Sequence, residues 1–183
     1  MREVSRVRAR PYARALLRVV EGDEAALRLR GELRQIAAVI RRNAELRAAL
    51  QHPRVDSRAQ GRVLVALAET GGASELLRRF VSLLAERDDV SQLLAVAEAY
   101  FALVNKAHGI IPVDVTAATP LEDGQEQALV KALRATTGGE LELTTHVDPR
   151  LLGGLRVQVA GRTFDGTVRA QLASLRRRLA SGS

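Results

Sequence analysis

The residues able to do chemistry are few. Three histidines, His52, His108 and His146, fall in three different segments, with no companions at metal-ligand spacing. His52 and His108 are expected at helix ends, where imidazole meets free carbonyls, and His146 on the polar face of a strand. Two acid pairs, Asp88-Asp89 and Glu122-Asp123, stand where helices are expected to begin, so their carboxylates serve the helix dipole before any acid–base role. No serine lies in a nucleophile-elbow setting. The stretch with the most local promise is "DPRLLGGLRVQVAGRTFDGTVRAQL", residues 148–172. A phosphate loop places glycines after a strand and before a helix, so that free amides face the anion. Gly153-Gly154 has the reverse order, with a strand following and no Lys-Ser or Lys-Thr pair behind it. These glycines are expected to turn the backbone into a hairpin or to let a neighbour pack close. The strand-to-helix junction is "FDGTV", with Asp165 as the expected N-cap. No catalytic residue, metal ligand or cofactor site is assigned.

Composition narrows the classes further. The chain has 183 residues, 46% hydrophobic but only 3% aromatic, so its core must be built from Leu, Val, Ala and Ile. Without cysteine there is no disulfide, thiolate metal site or thiol nucleophile. No apolar run approaches the roughly 18 residues of a membrane span, and no direct membrane insertion is expected. The formal charge of +7 is carried almost wholly by arginine, Lys106 and Lys131 being the lysines. The excess is local: residues 1–50 hold 12 Arg against 6 acids, whereas later stretches nearly balance. Most of these arginines alternate with apolar residues at helical spacing, which describes a solvated helix face. The alternative function is a basic helical RNA- or DNA-associated protein; no nucleic acid is expected as a partner. The opening "MREVSRVRARPYARALLRVV" also has the Arg-rich, acid-poor make-up of a transit peptide, but is expected to be an ordinary first helix with Pro11 in its first turn.

Two periods divide the chain. Residues 5 to about 107 are helical throughout. Leu29, Leu33, Ile36 and Ile40 mark one helix, for which Asp23 is a candidate cap. Asn43 begins a short one, Asp56 precedes the next, and Ser74 caps "ELLRRFVSLLAE" with Leu76, Phe80, Leu83 and Leu84 inward. A last helix, about 90–107, carries Leu93, Val96, Tyr100, Phe101 and Val104. After Gly109 the period becomes two, in "IIPVDVT", "ELELTTHV" and "LRVQVAGRTF", with a turn at Ala160-Gly161. Pro112, lacking an amide proton, is expected to put its strand at a sheet edge. A helix separates the first two strands, and a final one carries Val168, Leu172, Leu175 and Leu179 inward and Arg176 to Arg178 outward. The expected fold is mainly α: an N-terminal six-helix bundle, residues 1–108, plus a small C-terminal α/β two-layer domain, residues 109–183.

Three stretches carry a resemblance over essentially the whole chain. Residues 148–179 look like the signature of the delta-subunit family of bacterial F-type ATP synthase, whose mitochondrial counterpart is the oligomycin-sensitivity-conferring protein. "ARPYARALL", residues 9–17, resembles that family's first helix, and "LLAERDDVSQLLAVAEAY", residues 83–100, its fifth-to-sixth helix junction. Thr167 departs from the more usual serine. The resemblance implies a non-catalytic stator connector without a cofactor, present once in a hetero-oligomeric complex. Such a protein is peripheral at the cytoplasmic face of the bacterial plasma membrane and acts during proton-driven ATP synthesis. Its bundle would grip an amphipathic segment from the alpha-subunit N-terminus, and its C-terminal domain the far end of the b-subunit stalk. The family's groove lies between the first and fifth helices, which here offer Tyr12, Ala15, Leu16 and Val19 against Phe80, Leu83 and Leu84. The Arg176–Arg178 cluster is the candidate for an acidic stretch of the stalk.

Overall fold

The computed structural model describes residues 2–52, 55–159 and 161–171. The chain divides into two compact units, residues 1–104 and 105–183. In the first unit, α1 (Arg2–Val19), α2 (Asp23–Arg42), α3 (Ala44–Gln51), α4 (Ser57–Thr70) and α5 (Glu75–Glu86) follow in order. A single 3-10 turn, Val90–Gln92, then leads into α6 (Leu93–His108). Helix starts are set by local chemistry. Asn43 accepts from the Leu46 amide at 2.9 Å, Asp56 from Ala59 at 3.2 Å and Ser74 from Leu77 at 3.4 Å, each satisfying a free first-turn donor. Asp23 is the first residue of α2, with Gly22 in the cap position. Pro11 lies inside α1, contrary to the first-turn expectation. Six of the nine residues before it in "REVSRVRAR", four Arg with Glu3 and Ala9, are good helix formers, and the helix extends through the proline although one ladder bond is lost.

The core of this unit is aliphatic, as the composition demands. Leu33, Ile40, Leu64, Leu77, Val81, Leu84, Val96 and Val104 are essentially sealed, together with Tyr100. Full burial of each such side chain contributes about 1.5–3 kcal/mol. Small residues set the spacing between α4 and α5: a Cβ on Gly61 would overlap that of Ala85. Tyr100 is accommodated by directing its hydroxyl to the Ala26 carbonyl at 3.3 Å.

In the second unit the strands β1 (Ile110–Ala117), β2 (Glu140–Val147), β3 (Leu155–Val159) and β4 (Arg162–Asp165) form one sheet of order β2-β1-β3-β4, with the helix α7 (Asp123–Thr137) between β1 and β2 in sequence. β1 and β2 are parallel, joined through α7; β1–β3 and β3–β4 are antiparallel. Val113, Val115, Val157 and Val159 line the covered face, with Leu129 and Leu133 of α7 packed on them. This two-layer arrangement and the helical first unit make the fold mainly α with a small α/β part.

β1 is an inner strand, contrary to the edge position expected from Pro112. The ladder to β3 begins only at Val113, so Pro112 keeps one unpaired flank where a missing amide interrupts nothing. The glycine pair has both proposed roles. Gly153 and Gly154 have φ of 140° and 80°, and a Cβ on Gly154 would strike the Gly166 carbonyl and Thr167. The cap at the junction is displaced by two residues. Asp165 accepts from the Thr167 amide and hydroxyl, and the Thr167 oxygen accepts from the Ala170 amide. Helical backbone resumes at 168–171; the remainder of the expected last helix, with Arg176–Arg178, lies outside the described residues.

Two measurements check this packing. Gly61→Val overpacks the α4–α5 contact and should lower stability by about 1–3 kcal/mol, read as a lower denaturant midpoint. Burial pushes the Tyr100 phenol from 10.0 up to about 12. Below pH 10 both folded and unfolded chains hold this proton; above it the unfolded chain releases it first, so stability is lost as pH rises from 10 to 12. With no tryptophan and two tyrosines, ultraviolet phenolate titration should resolve the late-titrating ring, and Tyr100→Phe should flatten the alkaline loss.

Candidate partner-binding groove

Of the seven residues expected at a groove, Tyr12 of α1 and Phe80 of α5 meet directly, and by exposure the seven fall into two groups. Leu16, Phe80 and Leu84 are buried, at 4%, 6% and 1% exposure, and form the floor. Val19 and Leu83 stand out at 62% and 38%, with Ala15 exposed and Tyr12 half-buried between them. The reason is helical geometry. At 100° per residue, Leu16 of α1 and Leu84 of α5 point into the bundle, whereas Val19, Ala15 and Leu83 turn progressively outward on the sides that face each other. The inward set on α5 is Leu77, Phe80, Val81, Leu84 and Ala85. Leu83, expected inward, is therefore exposed, beside Arg79, Ser82 and Glu86, and Leu76 is half-buried.

Tyr12 and Phe80 hold the two helices together across the floor. Their rings meet edge to face, centroids 6.2 Å apart at 69°, a geometry that adds about 0.5–1.5 kcal/mol to the area buried. The Tyr12 hydroxyl donates to Asp89 Oδ2 at 2.8 Å. Arg8 meets the other carboxylate oxygen at 3.2 Å. Burial and then the Asp89 hydrogen bond hold the Tyr12 phenol above its ordinary value, with Arg87 acting in the opposite direction. Asp89 thus ties the end of α5 to α1.

Asp89 reaches this position through the way α5 stops. Arg87 is the C-cap, and Asp88 follows with φ of 56°. The Asp89 amide donates to the Leu84 carbonyl at 2.8 Å and the Asp88 amide to the Ala85 carbonyl at 3.3 Å, the paired bonds of a Schellman ending. Aspartate tolerates the left-handed conformation better than most residues. The acid pair "DD" therefore has two structural jobs: Asp88 reverses the chain, and Asp89, 8% exposed, anchors α1. The sequence reading assigned both to a helix dipole; the pairing with Tyr12 spans 77 positions and has no local signature.

The other chemically suggestive residues do not converge. His52 is the C-cap of α3 and His108 the last residue of α6, while His146 stands on β2 opposite Thr116. Among the described residues no group of three His, Cys, Asp or Glu could hold a metal ion, and no helix is long and apolar enough to cross a membrane. Asp165 and Thr167 are committed to the turn that joins β4 to the helical start at 168, against which Gly154 packs. The Thr167 hydroxyl, then the Thr167 amide, and to a lesser degree Arg156 at 3.3 Å hold the Asp165 carboxyl below its usual range. An open depression of about 600 Å³ lies between α4 and α5, among Arg58, Arg62, Glu69 and Glu86. Its lining mixes both charges and lies on the flank of α5 away from Phe80.

Comparison with known proteins identifies the family. The family model described as ATP synthase delta (OSCP) subunit matches residues 9–179. This chain belongs to that family. It is 36% identical to the ATP synthase subunit delta of Bordetella avium over 185 residues, covering 99% of this chain and all of the relative. With the ATP synthase subunit delta of Geobacter metallireducens it shares 32% over 169 residues, 92% of this chain and 94% of the relative. A chain in the cryo-EM structure of the Toxoplasma gondii mitochondrial ATP synthase hexamer has the same fold, with a TM-score of 0.69 at 20% identity over 94% of this chain and 97% of that one.

The anchor can be tested without a ligand. Tyr12→Phe keeps the ring contact and loses the hydrogen bond, at a cost of about 1 kcal/mol. Asp89→Ala should cost about 2 kcal/mol, since the phenol loses its acceptor in a partly buried site. Asp89→Asn should cost less, because an amide oxygen still accepts. Urea unfolding of the three variants should show that order.

Proposed function

We propose that the protein is the non-catalytic stator connector of an F-type ATP synthase, linking the catalytic head to the peripheral stalk during proton-driven ATP synthesis. Residues 1–108 take the N-terminal segment of an alpha subunit as a helix in the α1–α5 groove. Residues 109–183 hold the C-terminal end of the b subunit. One copy serves each complex, peripheral at the cytoplasmic face of the bacterial plasma membrane. The family membership supports the assignment to this complex. The observation that supports the docking site is an apolar floor of Leu16, Phe80 and Leu84 bordered by exposed Val19, Ala15 and Leu83. A guest helix recognises such a surface with anchors at i, i+3, i+4 and i+7, and small Ala15 permits close approach. The same geometry explains why no turnover is needed: holding two polypeptides requires buried area and rigidity, which the Tyr12–Asp89 anchor supplies.

Because Phe80 and Leu84 are in the core, the rim residues are the cleaner probes. Val19→Asp and Leu83→Asp should leave helicity and unfolding midpoint nearly unchanged. Each should weaken binding of the alpha N-terminal peptide at least tenfold, measured by titration calorimetry. Absence of binding to the folded wild-type chain would reject the groove. Full binding by both variants would place the peptide elsewhere.

A further inference from the structure

The sheet of the second unit has two edge strands, and they differ. β4 is four residues long and carries Arg162 and Asp165 at its ends, a short charged edge of the kind that resists further pairing. β2 is eight residues long. Among the described residues it pairs with β1 alone, one to one over its whole length, so no bulge bends it. Its sequence, "ELELTTHV", has no lysine and no proline. The outer flank of β2 therefore offers a long row of backbone N–H and C=O groups without the usual guards. Exposure grows along the strand. Leu141 to Thr144 are half-buried, while Thr145, His146 and Val147 are exposed, Val147 at 47%. Leu141 and Leu143 pack with the covered face. Strand alternation then puts Thr145 and Val147 on that same side, and Glu142, Thr144 and His146 on the other.

We infer that β2 pairs edge to edge, antiparallel, with β2 of a second copy of this chain, joining the two sheets into one. The strand is complementary to itself. A two-fold axis perpendicular to the sheet keeps each face on its own side, and with Thr144 on that axis residues 141–147 of one copy run against 147–141 of the other. Leu141 then meets Val147, covering the most exposed apolar side chain of the strand. Glu142 meets His146, whose ring N–H donates to a carboxylate whether the imidazole is charged or neutral. Leu143 meets Thr145, and Thr144 meets its own counterpart. No like charges stand opposite each other in the paired stretch. Apolar, threonine and donor–carboxylate pairs across strands each stabilise pairing, and an isologous contact repeats every one of them. A row of extended backbone donors and acceptors is matched by another strand, which sets this surface apart from one made for lipid or nucleic acid. The pairing belongs to the free chain and is independent of the α1–α5 docking reading.

The full chain has no cysteine, so a single introduced thiol reports the register. Directly opposed residues of an antiparallel pair have Cα atoms about 4.5–5.5 Å apart, within reach of a disulfide, whereas diagonal neighbours at about 7–8 Å are not. With oxidised glutathione, Thr144→Cys should give the linked dimer roughly tenfold faster than Thr145→Cys, or than Thr163→Cys on the other edge, each shown to be folded by circular dichroism. In sedimentation, the average mass of the wild-type chain should rise with concentration towards that of a dimer. His146→Glu sets a carboxylate opposite Glu142 twice and should weaken the dimer about tenfold. Mixing it with Glu142→Lys should restore pairing, because the mixed dimer holds one Lys–Glu and one Glu–His pair. A chain that stays monomeric at every concentration overturns the proposal. So does a dimer indifferent to His146→Glu, or one in which Thr145→Cys or Thr163→Cys links as fast as Thr144→Cys.

Discussion

A single carboxylate governs the geometry of the amino-terminal unit. Asp89 is nearly out of water, and an ionised group in that position has to be hydrogen-bonded or it costs several kcal/mol. It accepts from the Tyr12 phenol and the Arg8 guanidinium, both on α1, although it is itself placed by the end of α5. Satisfying it therefore fixes how the first helix lies against the fifth. The Tyr12–Phe80 ring contact lies beside that anchor.

The chain also shows how a connector can be built with almost no aromatic residues. Leu, Val, Ile and Ala fill the bundle, and close approaches such as Gly61 on Ala85 let α4 and α5 pack tightly. The three aromatic rings most engaged in the first unit each have a specific position. Tyr100 fills the centre, Phe80 floors the groove, and Tyr12 joins a buried ring face to a polar anchor. In the second unit, rigidity comes from β1 pairing on both sides and from the glycine pair, which lets the β3 entry lie against the Gly166–Thr167 turn. Neither unit assembles a nucleophile, base and orienting group among the described residues, and its polar side chains are spent on caps, turns and ion pairs.

Local rules made much of this legible. Helix starts at Asn43, Asp56 and Ser74, the change from a period of 3.6 to one of two near Gly109, and the turn into the β3–β4 hairpin all depend on neighbours within four or five positions. Where the local reading failed, a non-local pairing was responsible. Pro112 suggests an edge from its own chemistry, but the edge is decided by where β3 stops. Pro11 suggests a helix start, but the nine residues before it are helical as well. Asp165 suggests a cap, but its carboxylate is better used on Thr167, whose hydroxyl then caps the helix. On α5 the periodic pattern located a face roughly 100° wide, and within it Leu83 and Leu84 differ by one position yet end on opposite sides of the surface.

The sequence by itself determined the element types, most of their ends, the division between a helical and a mixed half, and the absence of cysteine chemistry, because these depend on side-chain type and short-range spacing. Tertiary structure alone decided which apolar residues of α1 and α5 are floor and which are rim, that Asp89 belongs to Tyr12 and Arg8, and that β1 is an inner strand. Those outcomes are set by which surfaces meet after residues far apart in the chain are brought together, and no window of sequence contains both partners.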